Sequence, residues 1–233
     1  MQPHRGGSGA AVEGEGHRPA EGEKPEQFHG VEGDIQSVGD FIRLWTTRNA
    51  RWSAAKFLAG ESYGTTRAAG LSGYLQDRYG MYLNGIVLIS SILNFQTAYF
   101  NAGNDLPYVL FLPTYTTTAW YHKKLPPDLQ GDFGKAASES EAYAGGEYTL
   151  ALMKGDRLTA AERQAVVQKL SRLTGLAPSV IEENNLRVDL QTYNRELLRS
   201  ENKVVGRLDS RFAVVARPTT SGSISSDPSY AAI

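Results

Sequence analysis

The segment Gly60-Glu61-Ser62-Tyr63-Gly64 places glycines two residues before and two residues after a serine. A serine hydroxyl is a weak nucleophile until a sharp strand-to-helix turn lifts it to where a base can reach it. Such a turn crowds the positions two before and two after the serine, a demand that Gly60 and Gly64 are expected to meet. The pattern alone recurs by chance, so its neighbours decide its weight. Lys56-Phe57-Leu58-Ala59 is a short apolar run on one side, and a helical stretch from Thr65 to about Tyr79 follows on the other. The order is strand, turn, helix. There the backbone amide of Tyr63, at the helix N-terminus, points to where an oxyanion would form. The chemistry indicated is nucleophilic attack by Ser62 on a carbonyl; a plain Gly-Ser turn between strand and helix is the structural alternative.

A working site also needs a base and an orienting acid, which at such a turn follow the serine in the order acid, then histidine. The histidines are His4, His17, His29 and His122, and only His122 lies downstream of Ser62. It sits in the basic stretch Trp120-Tyr121-His122-Lys123-Lys124, where an exposed surface histidine is expected. Asp105 is the one aspartate between the Ile86–Ser90 run and His122, and it is expected to cap the segment opening at Leu106-Pro107. The triad is therefore expected to be incomplete. Cysteine is absent, which removes thiolate catalysis, disulfides and cysteine metal sites and leaves the redox compartment open. No metal site and no cofactor are expected.

The elements that would position Ser62 follow from periodicity. Val31, Ile35, Val38, Ile42 and Trp45 share one face of a helix running to about Asn49, expected to pack on a sheet. In the helix after Ser62, the small residues Ala68, Ala69, Gly70 and Gly73 should let its axis lie close to that sheet, with Leu71, Tyr74 and Leu75 filling around them. Ile86-Val87-Leu88-Ile89-Ser90 reads as a parallel strand covered on both faces. From about 105 to 200 the chain turns helical: Thr159-Ala160-Ala161-Glu162 forms a capping box ahead of Val166, Val167, Leu170 and Leu173, Pro178 starts a short helix, and Leu190 to Arg199 forms another. This stretch is too long for a loop and reads as a cap inserted into an α/β core. The aromatic set Tyr99, Phe100, Tyr108, Phe111, Tyr115, Trp120 and Tyr121, which begins just before this stretch, either walls a cleft over Ser62 or forms the cap's own core. Lys123-Lys124 and the charges around Glu139 to Glu141 read as solvated faces. Val204 to Phe212 is a candidate strand returning to the sheet, and a Ser-rich tail runs from Arg217.

The expected organisation is thus a disordered leader (1–24), a core with the serine turn (25–104), a helical cap (105–203) and a return to the core with a terminal loop (204–233). With 41% hydrophobic residues the 233-residue chain can bury a real core. A net charge of −1 argues against an electrostatic grip on nucleic acid or on an anionic membrane. The leader holds no apolar stretch suited to a signal peptide or a membrane span, and the compartment and oligomeric state stay open.

Gly60-Glu61-Ser62-Tyr63-Gly64-Thr65-Thr66-Arg67 resembles the serine carboxypeptidase family of α/β-hydrolases, in particular its bacterial members. The likeness extends over 24–31, Phe41-Ile42-Arg43, Gly85-Ile86-Val87-Leu88, Leu112-Pro113-Thr114-Tyr115, Ala119-Trp120-Tyr121 and Val205-Gly206-Arg207-Leu208-Asp209. The resemblance implies a partial α/β-hydrolase fold with an inserted helical cap. It also implies a peptide substrate, whose C-terminal residue is released through an acyl-enzyme on Ser62 with the Tyr63 amide as an oxyanion donor. Glu61 matches the family acid that helps bind the substrate's terminal carboxylate by sharing a proton with a second acid, an arrangement that favours acidic pH; a charge favouring the helix dipole is the alternative for it. Family members carry strands and a glycine-rich oxyanion loop before the region matching 24, and a catalytic aspartate and histidine after the region matching 233. The resemblance therefore implies an internal fragment, inactive alone, habitually exported in its relatives. Asp209 precedes the family's catalytic aspartate and is expected to serve a turn or sheet edge instead. A non-catalytic interaction domain, or an esterase or acyltransferase of the same fold, are the competing expectations.

Overall fold

The computed structural model describes residues 30–216 and 227–229. The leader, the family-like residues 24–29, His4, His17, His29 and most of the tail from Arg217 lie outside the described residues. The chain forms two compact units, one running to Leu93 and one from Asn94.

The first unit contains helix α1 (Val31–Arg48), strand β1 (Phe57–Glu61), helix α2 (Tyr63–Tyr79) and strand β2 (Gly85–Ile89). β1 and β2 pair in parallel from Phe57↔Gly85 to Glu61↔Ile89, with α2 as the connection between them. This is a mixed helix-and-strand unit in the strand, turn, helix, strand order that the periodicity predicts. Its small core is Leu71, Leu75 and Met81, flanked by Ile35, Val38, Ile42 and Leu58.

Two expectations about packing are corrected. α1 packs chiefly on α2 rather than on the sheet, and of the small residues of α2 Gly70 serves that helix pair, while α2 itself lies against β1 and β2 as expected. A Cβ added at Gly70 would lie 2.2 Å from Ile35 Cδ1, and one at Gly39 would lie 2.5 Å from a Tyr74 ring carbon; each glycine is the hole for the other helix's side chain. Gly73 faces open space and Ala69 is exposed. Because residues 34, 35 and 39 of α1 meet residues 67, 70 and 74 of α2, the two helices run in the same direction with neighbouring N-termini. Val31 and Trp45, placed by periodicity on the buried face, are 48% and 51% exposed. β2 is also not covered on both faces: Ile86, Val87, Leu88 and Ile89 are all exposed.

The second unit is mainly helical: α3 (Leu106–Tyr121), α4 (Pro127–Gln130), α5 (Phe133–Tyr143), a π-helical turn at Ala144–Tyr148, α6 (Thr149–Lys154), α7 (Ala160–Thr174), α8 (Pro178–Glu183) and α9 (Leu190–Glu196). α3 packs against α5 and α7 around Leu112, Tyr115, Ala119, Leu170 and Leu173. The capping box forms as read: Glu162 N–H donates to Thr159 Oγ1 at 3.2 Å and Thr159 N–H donates to Glu162 Oε2 at 2.9 Å. Val204 to Phe212 is not a single strand joining β1 and β2. It folds back instead, with β3 (Lys203–Val205) paired antiparallel to β4 (Ala213–Val215) in a separate two-stranded sheet. The reversal has local causes. Gly206 N–H donates to Phe212 O at 2.9 Å, and a Cβ on Gly206 would lie 2.5 Å from Asp209 O. Among the described residues no helix is long and apolar enough to cross a membrane.

Candidate active site

The parallel ladder runs up to the serine, for Ser62 N–H donates to Ile89 O at 3.0 Å. The chain then turns abruptly: Ser62 has φ 52° and ψ −121°, a region that non-glycine residues rarely occupy and that costs on the order of 1–3 kcal/mol. The turn is closed from the helix side by buried Thr65, whose amide and hydroxyl both donate to Ser62 O, at 3.0 and 2.7 Å. Gly60 is required, since a Cβ there would sit 2.0 Å from Gly64 O. Gly64 is not required in the same sense: a Cβ on it would meet no heavy atom within 4 Å. The symmetric demand on both glycines is therefore corrected to a one-sided one, because only the Gly60 Cβ vector points into the turn.

The Ser62 residue is exposed, and Tyr63 and Gly64 open α2 directly behind it. The first amides of a helix lack intrahelical acceptors and carry the positive end of its dipole, so this is where a tetrahedral oxyanion would be received. Glu61 is exposed at the end of β1 and lies outside the first turn of α2. Among the described residues no group pairs with its carboxylate.

A polar cluster that the sequence reading missed ties the turn to α1. Arg67 grips Asp34 with two hydrogen bonds of 2.7 Å, and Tyr63 Oη donates to Asp34 Oδ2 at 3.1 Å. The Arg67 guanidinium lies 5.3 Å from the centroid of the Tyr63 ring. Hydrogen bonding to Asp34 raises the pKa of Arg67, and partial burial followed by the Asp34 hydrogen bond raises that of Tyr63, so the pair stays a cation and a neutral phenol. Farther along α1, Asp40 accepts from Tyr74 and Tyr79, whose rings meet edge to face at 5.8 Å. The neighbouring Tyr79 hydroxyl, desolvation and Asp40 together push Tyr74 up to about 12.

The other candidates take structural roles. His122 is half-buried rather than an exposed surface residue; its Nε2 lies 2.7 Å from Ser210 O, and since a carbonyl only accepts, that nitrogen carries the proton. Asp105 occupies the cap position of α3 but makes no side-chain capping bond, because Arg187 holds both of its oxygens at 2.6 and 2.8 Å. Asp209 sits in the β3–β4 turn, held to about 2 chiefly by its Arg211 hydrogen bonds. Glu139 is half-buried between Lys169 and Arg172, and Lys124 pairs with Glu201, so neither belongs to a purely solvated face. Within the second unit, Tyr115 stacks on Tyr193 at 4.0 Å, Phe100 lies edge-on to Tyr108 and Phe111, and Trp120 lies edge-on to Phe133. The void beside Tyr108, Tyr115 and Tyr148 is about 10 Å³, too small for a ligand, so there these rings form a core. Tyr99 and Tyr121 are exposed.

Among the described residues no three His, Cys, Asp or Glu side chains are grouped to hold a metal ion. No family model, no curated protein and no solved structure matches this chain. Chemically, the site offers an exposed serine residue at the start of a helix, in a unit whose described residues include no histidine.

Proposed function

We propose that this chain is the nucleophile-bearing part of a serine-type carboxypeptidase of the α/β-hydrolase kind, with the helical unit as its cap. In this reading Ser62 Oγ attacks the carbonyl of the last peptide bond while its proton passes to a base. The Tyr63 amide receives the oxyanion, the C–N bond breaks as the released amino acid takes a proton, and water then hydrolyses the ester. Glu61, exposed beside the nucleophile, engages the substrate's terminal carboxylate through a proton shared between the two carboxyl groups. The observation that carries the reading is the strained, exposed Ser62 between a parallel strand and a helix, with Gly60 admitting no side chain. Of the histidines, the described one, His122, is already committed to Ser210 O, so it does not serve Ser62 as a base in this reading.

The test is labelling by a fluorophosphonate probe, read as a mass shift on the Ser62 peptide. Slow labelling that rises when imidazole supplies a base, and that vanishes in Ser62→Ala, is expected. No labelling at any imidazole concentration contradicts a poised nucleophile; rapid imidazole-independent labelling would mean that a base within the chain already serves Ser62.

A further inference from the structure

Resting on that reading, we propose that Asp34 is a positioning residue for the nucleophile, acting through Arg67 and Tyr63 to lock the first turn of α2 beneath Ser62. The strained Ser62 backbone relaxes unless its surroundings fix it. From the strand side it is fixed by Ile89 O, and from within the turn by Thr65. Thr65 ties the first turn of α2 to Ser62, but neither contact fixes that turn against α1, and its opening amides must stay where the oxyanion forms. Asp34 supplies that anchor. It stands in the first turn of α1, beside the N-terminus of the parallel helix α2, and takes hydrogen bonds from the first residue of α2 and from the residue one turn later. Both helix dipoles present their positive ends there, and a carboxylate stabilises the pair. The Arg67 fork is bidentate, which fixes orientation as well as distance. Its guanidinium also covers the Tyr63 ring, so Tyr63 is restrained at ring and hydroxyl while its amide remains at the helix start.

The experiment measures phosphonylation of Ser62 in the full chain with imidazole present, separating the limiting rate from the probe's apparent affinity. Asp34→Asn should lower the limiting rate by about 10- to 100-fold, the penalty for a displaced reacting group, with the affinity unchanged. Asp34→Glu, which keeps a carboxylate for Arg67, should restore most of the rate. Asp40→Asn, which removes the charge from the Tyr74 and Tyr79 acceptor on the same helix just as Asp34→Asn does from the Arg67 and Tyr63 acceptor, is the control for simple loosening and should leave the rate near wild type. A normal rate in Asp34→Asn, or an equal fall in Asp40→Asn, overturns the proposal while wild-type labelling still stands. Absence of Ser62 labelling in the wild-type chain overturns the nucleophile reading itself, and the positioning role with it.

Discussion

The two units hold together by different means. The helical unit is organised around a continuous core extending from Leu112 to Val205, and its deeply buried tyrosines place their hydroxyls on backbone carbonyls: Tyr193 on Tyr115 O at 2.6 Å and Tyr148 on Leu186 O at 2.7 Å. The serine unit buries only Leu71, Leu75 and Met81 as its apolar centre and leaves β2 exposed, yet it carries the strained residue. A small apolar core is non-directional and cannot by itself select one backbone conformation. Directional contacts do so here, through Ile89 O, Thr65 and the Asp34 cluster. Bulk burial stabilises one unit, and geometry specified by hydrogen bonds distinguishes the other.

Perturbations should respect that division. The largest effect is expected from Tyr193→Ala, which empties a fully buried stacking site and removes the side-chain donor to Tyr115 O; a loss of about 4 kcal/mol should appear as faster amide exchange across α3 and α9, with little change in β1 and α2. Gly60→Ala forces a Cβ against Gly64 O and should cost about 3 kcal/mol, seen as exchange at 57–67 and loss of Ser62 labelling, while helical-unit exchange is unchanged. If it loosened both units equally, the division would fail. Thr159→Ala removes the α7 cap and should cost about 1 kcal/mol by denaturant titration.

The smallest effect is acid loosening of the surface ion pairs. Lys154 and Thr159 hold Glu162 at about 2, and Lys124 and Lys203 hold Glu201 at about 2. Their folded pKa values lie below the unfolded ones, so their contribution is complete above about pH 4.3 and is lost as pH falls toward 2. A thermal melt followed across that window should show a small decline that added salt diminishes.

What the sequence revealed was local. The strand-turn-helix order, the extents of α1 and α2 and the Thr159–Glu162 capping box all depend on residues within a turn or two of one another. What it concealed depends on partners far along the chain: Asp34 with Arg67, 33 residues on, and Asp105 with Arg187, 82 residues on. Trp45 has helical spacing with Ile42 and Val38 yet is exposed, since periodicity gives a helix face without saying where the packing against α2 ends. The 204–212 run looks like one strand until Gly206 and the Asp209–Arg211 pair bend it into a hairpin. Glycines 39 and 70 could not be matched as mutual holes without knowing that the helices run in the same direction.

The most direct test of the account is the pre-steady-state release of p-nitrophenol from an activated ester by the intact chain in imidazole buffer. A burst approaching one equivalent per chain, absent in Ser62→Ala and in Gly60→Ala, is the predicted result. A burst that survives Ser62→Ala, or none in the wild-type chain, would contradict the claim that the turn at Ser62 presents a nucleophile.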